Sequence, residues 1–304
     1  MQLNGIHHIT CITADALRNL EFYTEVLGLR LVKKTVNQDD PSVYHLFYAD
    51  EAGSPGADIT FFEFPGALPG KAGAGMVHTI VSRVASYSAL EFWAKRLAAA
   101  GIETTHAEDR LGFRDPDGLR HELAMARVAD KPLIAEHAEI GAEFALQGFD
   151  GVRAYARDPA HGSDFLARVL GFEESGEANA WRVDGPTRSA FYARDTPPDA
   201  AAKPGPGTVH HVAFSTALEE QDLWHVRVRD AGANPSPVID RFWFRSIYFR
   251  EPGGVLFELA TEGPGFTTDE PLEQLGERLT LPPSFESMRE QIESTLTPLP
   301  NQRR

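Results

Sequence analysis

The chain has 304 residues, 42% of them hydrophobic, one cysteine and a formal charge of −15. That much apolar content builds a core and excludes a disordered chain. The acidity excludes nucleic acid and anionic membrane surfaces as partners, and no apolar run approaches the about 18 residues needed to cross a bilayer. A single cysteine, Cys11, excludes an internal disulfide, reads as a small buried hydrophobe, and fits a reducing compartment. With no basic segment and apolar stretch at the start, the cytoplasm is the expected location.

Gly5-Ile6-His7-His8-Ile9-Thr10 opens the chain as a strand with a doubled histidine. Ala14 to Leu27 is expected to be an amphipathic helix stopped by Gly28 in a left-handed cap. Strands follow near Arg30 to Val36, Val43 to Ala49 and Asp58 to Phe64. Residues 66–75 are glycine-rich but lack the strand-loop-helix context of a phosphate loop, and read as a connector. A second unit starts at Met76, with a strand Val77 to Val81, a helix Ser86 to Ala100 and a last strand bearing Glu122. After a linker over 131–147, a third unit runs from Phe149 through a helix around Gly162 to Leu170 and strands Ala180 to Val183 and Ser189 to Ala193. The fourth unit starts at Thr208, carries His210-His211 in its first strand, has a helix from Leu218 to Ala231, and closes at Thr261 with Glu258 in its last strand. The tail beyond Gly263 has a short helix near Ser284 to Leu296, expected to pack on the body or on another copy, which leaves a homo-oligomer open.

These units repeat. Glu21-Phe22-Tyr23-Thr24-Glu25-Val26-Leu27-Gly28 echoes Asp164-Phe165-Leu166-Ala167-Arg168-Val169-Leu170-Gly171. Phe113-Arg114-Asp115-Pro116-Asp117-Gly118 followed by Glu122 echoes Phe249-Arg250-Glu251-Pro252-Gly253-Gly254 followed by Glu258. Acid-Pro-x-Gly is turn chemistry, so each unit reads as strand, helix and three strands. The expected division is 1–130 with two modules, a linker at 131–147, 148–263 with two modules, and a helical tail over 264–304.

Two histidines and one carboxylate on three strands form the ligand set of a non-haem Fe(II) site with open positions; Mn(II) fits the same set. Neighbours on a strand face opposite sides, so one histidine of each pair is expected to point away. His211 shares its face with Ala213 and Ser215, and His8 with Thr10, whereas His210 goes with Val212 and Phe214 on an apolar face expected to pack under the helices. His8, His211 and Glu258 are therefore the candidate metal ligands. Glu63 is a candidate fourth ligand, and His78 with Glu122 matches the same template in the second unit. His7 and His210 are candidate acid/base groups where strand irregularity brings them near. Phe242, Trp243 and Phe244 are candidate pocket walls.

Four such units, with His-His strand openings and an acid-Pro-x-Gly turn before a glutamate strand, resemble the vicinal oxygen chelate superfamily, which includes glyoxalase I, fosfomycin- and bleomycin-resistance proteins and extradiol dioxygenases. The resemblance covers residues 5–262. It implies an α+β fold of four βαβββ modules paired into two domains, each a curled mixed sheet, or half-barrel, with helices outside. His in the first unit and His…Glu in the fourth look most like the hydroquinone ring-cleaving branch. The third unit opens Asp150-Gly151-Val152-Arg153, without the histidine of the two-domain catechol enzymes. The resemblance implies a small aromatic diol and O₂ as partners, and places Arg241 and Tyr248 beside the bound ring. The alternative it carries is a glyoxalase-type isomerase or thiol-conjugating enzyme, which would need Glu63 on the metal.

Overall fold

The computed structural model describes residues 1–125 and 127–301. Residues 126 and 302–304, assigned by sequence to the first domain and the tail, lie outside the described residues. The first module comprises β1 (Ile6–Thr13), α1 (Ala16–Glu21), β2 (Arg30–Asn37), β3 (Asp40–Ala49) and β4 (Asp58–Glu63). The second comprises β5 (Met76–Val84), α2 (Tyr87–Ala99), β6 (Thr105–Ala107), β7 (Arg110–Arg114) and β8 (Arg120–Met125). The third has β9 (Phe149–Tyr155), β10 (Glu173–Glu174), β11 (Ala180–Asp184) and β12 (Ser189–Asp195). The fourth has β13 (Thr208–Thr216), α3 (Gln221–Asp230), β14 (Ile239–Asp240), β15 (Phe244–Arg250) and β16 (Leu256–Pro264).

The strands form two eight-stranded curled mixed sheets, the α+β architecture that the resemblance implies. Sheet one runs β14-β15-β16-β13-β1-β4-β3-β2 and sheet two runs β10-β11-β12-β9-β5-β8-β7-β6. Each sheet takes one module from each side of the 131–147 segment: the first joins the fourth, and the second joins the third. The joints are antiparallel seams, β1 with β13 and β5 with β9. One apolar core draws on both sheets, from Leu20, Tyr23 and Phe61 to Trp93, Tyr192 and Trp224.

Helix is scarcer than the sequence pattern suggests. Asp15 caps α1 by accepting from the Arg18 amide, but the helix widens into a π-turn over Phe22–Val26. The repeat of that stretch, Phe165–Val169, is a π-turn as well, where a longer helix was expected. Gly28 and Gly171 then take φ of 69° and 77°, the left-handed conformation that glycine adopts without a Cβ penalty. The two acid turns are built alike. Asp115 accepts from the Asp117 and Leu119 amides, and Glu251 from those of Gly253 and Val255, while Gly118 and Gly254 sit at φ of 92° and 95°.

The tail packs along β2, an edge strand. Thr280 N–H donates to Lys34 O at 2.9 Å, and Arg30 donates to the Leu272 carbonyl. The fully buried Lys33 ammonium donates to the carboxylates of Asp269 and Glu270. This covering keeps the edge from pairing with other chains. No described helix is long and apolar enough to cross a membrane.

Candidate metal centre

Strand register gathers the ligand set. His8 lies opposite Ala213 across the β1–β13 seam, with Thr10 opposite His211. In the parallel β13–β16 pair Ala213 lies beside Glu258. Opposed residues share a face of the sheet. The three candidate side chains thus rise on one side around the small Ala213, whose methyl leaves the space above it open. Nε2 of His8 is 3.3 Å from Nε2 of His211, and Glu258 Oε2 is 3.2 and 2.8 Å from the two nitrogens. All three side chains are buried, and they form a group able to hold one ion.

The charges and lone pairs fit a divalent cation. Glu258 is fully buried, and its ion-pair partners among the described residues are those two histidines alone. Its Oε1 accepts from the Ser246 hydroxyl, which fixes the carboxylate, while Oε2 is buried with no donor aimed at it. Burial opposes ionisation of Glu258, but protons on the two imidazoles, whose place a cation would take, outweigh it and hold the carboxyl well below its usual range. Burial also pulls His211 below the usual imidazole range, which favours its neutral, lone-pair-bearing form. A buried negative charge facing imidazole lone pairs is costly unless a cation completes it. Two nitrogens and one oxygen leave further coordination positions for exogenous ligands.

The other histidine of each pair does not point away, contrary to strict alternation. In the seam Ile6 pairs with Phe214 and His8 with Ala213, which leaves His7 as an extra residue; Thr10 pairs with His211 and Cys11 with Val209, which leaves His210 extra. Each is the bulged residue of a β-bulge, the device that re-aims side chains beside functional sites. His7 Nδ1 thereby meets His8 Nδ1 at 2.9 Å, and His210 Nδ1 meets His211 Nδ1 at 2.7 Å. His7 Nε2 lies 3.1 Å from the Thr261 carbonyl, which can only accept. His7 therefore carries its proton on Nε2, accepts the His8 Nδ1–H at its own Nδ1, and leaves His8 Nε2 as a bare lone pair at the shared point. Burial and His8 lower the His7 pKa to about 3, so His7 stays neutral. His210 is exposed rather than packed under helices with Val212 and Phe214.

A small cavity opens over the centre, lined by His8, His211, Trp243, Phe244 and Tyr248, with Arg241 at its side. Phe244 packs 5.2 Å from the His8 ring, and Tyr248 lies edge-on to His211 at 5.5 Å. Burial and Glu258 push the Tyr248 hydroxyl well above the usual phenol range. The Arg241 guanidinium sits 5.5 Å over the Tyr248 ring and pairs with Asp39. Trp243 is pinned by its Nε1–H to Asp269 of the tail at 2.9 Å. Phe242, at φ of 74°, packs on Trp243 and is absent from the lining. His45 and Thr10 line the cavity too, and neither was singled out from sequence.

Glu63 stands apart: its Oε1 accepts from the Ala16 amide at the start of α1. Sheet two keeps the frame without the ligands. His78 is again a bulged residue, with Thr79 where His211 would stand, and Asp150 is bulged with Gly151 in the place of His8. Glu122 keeps the place of Glu258 but pairs with Arg110, and His78 pairs with Asp195, which also holds Arg153.

Comparison with known proteins adds sequence relationship to this geometry. Residues 5–123 and 148–259 match the model of the glyoxalase/bleomycin resistance protein/dioxygenase superfamily. The chain is 38% identical to the protein named "Putative ring-cleaving dioxygenase MhqA" of Bacillus subtilis (strain 168), over 98% of this chain and 100% of the relative. It is 31% identical to the chlorohydroquinone/hydroquinone 1,2-dioxygenase of Sphingobium indicum, over 97% and 96%. The crystal structure of a "putative dioxygenase from Bacillus subtilis subsp. subtilis str. 168" superposes with a TM-score of 0.93 at 38% identity, covering 99% of each chain. Glyoxalase I of Zea mays shares the fold at a TM-score of 0.57 and 15% identity, over 85% of this chain and 92% of that one.

Proposed function

Because the chain belongs to the glyoxalase/bleomycin resistance protein/dioxygenase superfamily, we propose that it is a metal-dependent ring-cleaving dioxygenase. In this reading Fe(II) is the resident ion and a hydroquinone-like aromatic diol is the substrate, opened with both atoms of O₂. The observation that carries it is the convergence of His8 Nε2, His211 Nε2 and Glu258 Oε2 on one buried point under an aromatic-walled cavity. The relative named for chlorohydroquinone and hydroquinone supports the substrate class.

When bound, the ion supplies a Lewis acid that favours the phenolate and a redox partner for O₂. The protein does the rest by placement. Phe244 and Trp243 wall the ring and exclude water. Tyr248 keeps its proton across the neutral range and donates a hydrogen bond to the developing phenolate or to the incoming oxygen. Arg241, always charged, offsets negative charge as the diol is deprotonated. His7 and His210 act through the ligands they hold, as positioning residues, which narrows the acid/base role expected for them. The glyoxalase-type alternative is weakened by Glu63, which is engaged at the start of α1.

The test is oxygen uptake after anaerobic loading with Fe(II), using methyl- and chloro-hydroquinone, catechol, and a hemithioacetal as the isomerase substrate. Uptake with the hydroquinones is expected. Uptake with catechol alone rejects the substrate class, and isomerisation without uptake rejects the reaction. Metal analysis should show that His8→Ala, His211→Ala and Glu258→Ala each lose iron; retention by all three overturns the site.

A further inference from the structure

The cavity over the metal point has a second polar end, on β3. His45 lines it, with its ring between Phe47 and Phe62, whose centroids lie 4.0 and 4.4 Å away. The hydrogen bonds fix its proton. The Thr60 hydroxyl donates to Thr10 Oγ1 at 2.8 Å, so toward His45 it can only accept, and His45 Nε2 sits 2.9 Å from it. His45 is therefore protonated on Nε2, and its Nδ1 is a lone-pair acceptor that bonds to none of the described residues. Burial, with His8 and His211 adding to it, holds this imidazole well below its usual range, so the lone pair persists at neutral pH. The other acceptors around the cavity differ in kind. Asp39 is exposed and paired with Arg241, and Gln38 is on the turn beside it with its amide donating to the Arg241 carbonyl. Thr10 Oγ1 already accepts from Thr60 and Asn37 Oδ1 from the Asp39 amide, whereas the half-buried His45 keeps its Nδ1 lone pair for a ligand.

The position across the cavity matters because diols differ in the direction of their second oxygen. In a 1,2-diol both oxygens lie on one side of the ring and can turn together toward one ion. In a 1,4-diol the second hydroxyl points directly away from the first, into the opposite wall. We infer that His45 accepts a hydrogen bond from the distal hydroxyl of a 1,4-diol whose near oxygen sits at the metal point, and that it thereby sets the preference for hydroquinones over catechols. This rests on the dioxygenase reading only for the placement of the near oxygen. An acceptor that a bound ligand covers without pairing also disfavours ligands that lack the matching donor.

The experiment compares binding and turnover. Calorimetry on the anaerobic Fe(II)-loaded protein measures hydroquinone against 4-methylphenol, which replaces the distal hydroxyl by a methyl of similar size. The wild type is expected to bind hydroquinone about tenfold more tightly, one well-placed hydrogen bond. His45→Phe should erase that difference while leaving 4-methylphenol affinity within about twofold, which also reports an intact fold; His45→Gln, which keeps an acceptor, should restore part of it. In turnover, His45→Phe should lower the ratio of kcat/KM for hydroquinone over catechol. A wild type with no preference for hydroquinone, or a preference that survives His45→Phe, overturns the inference. Preferential binding without oxygen uptake would sink the dioxygenase reading and leave this one standing; uptake indifferent to His45 would do the reverse.

Discussion

At the residue scale the centre depends on two imidazoles that touch no ion. His7 and His210 fix which nitrogen of His8 and of His211 faces the shared point, and the bulges that present them put neighbouring side chains on the same side of the sheet. His7→Phe removes the acceptor for the His8 Nδ1–H and frees His8 to carry its proton on Nε2, toward the ion. Support of this kind is worth about 10–100-fold in metal affinity. Competition with a chromophoric chelator should show a loss of that size in His7→Phe, and an unchanged affinity would mean that His7 only fills space. Alternation along a strand put His8, His211 and Glu258 on one face, and the register brings the three side chains together there. The same rule sent His7 and His210 the wrong way, since a bulge leaves no mark in residue types. His45 was legible in principle: it shares a face with Phe47 along β3, but only the curl of the sheet brings that face over the centre.

At the scale of elements, the acid turns show how one repeated motif acquires different electrostatics. Both carboxylates accept the amides of their own turn, and Glu251 also pairs with the buried Arg194 guanidinium. Asp115 forms no ion pair with a cation among the described residues; it receives the Tyr23 hydroxyl at 3.1 Å, and burial raises its pKa to about 7 from 3.8. A raised acid pKa means that the folded state holds the proton more tightly than the unfolded chain. The associated stability is complete below pH 3.8 and is lost as pH rises through about 7. His121, on the other side of the Tyr23 hydroxyl, is lowered by burial to about 3, so its contribution has the opposite slope, being lost as pH falls from 6.5. Asp115→Asn isolates the carboxyl. In thermal melts the variant's melting temperature minus that of the wild type should increase by a few degrees between pH 4 and pH 7, and a flat difference would show that Asp115 is ionised throughout. The turns, the capping glycines and the strand count were readable because each depends on local chemistry. The short helices were overread, since a π-turn presents the same amphipathic pattern to the core as the α-helix it interrupts.

At the scale of the molecule, the sequence repeats mark the modules but not their partners. The β1–β13 and β5–β9 seams join residues some 200 and 70 positions apart, and no local pattern encodes which edge meets which. Each sheet therefore needs strands from both sides of the 131–147 segment, and the candidate ligands are divided accordingly, His8 before it and His211 and Glu258 after it. Cleaving the chain between the exposed Ala138 and Glu139 tests this directly. Neither fragment alone should bind Fe(II) tightly, and refolding them together should give a one-to-one complex that does. Tight binding by 139–304 alone would show that His8 is dispensable. The same seam orders events in the cell. During synthesis β1 leaves the ribosome long before β13 exists, and at ordinary elongation rates it waits roughly ten to forty seconds for its neighbour. The three candidate ligands can come together only after that, when the nascent polypeptide is nearly complete. A prematurely terminated product would then lack the site altogether.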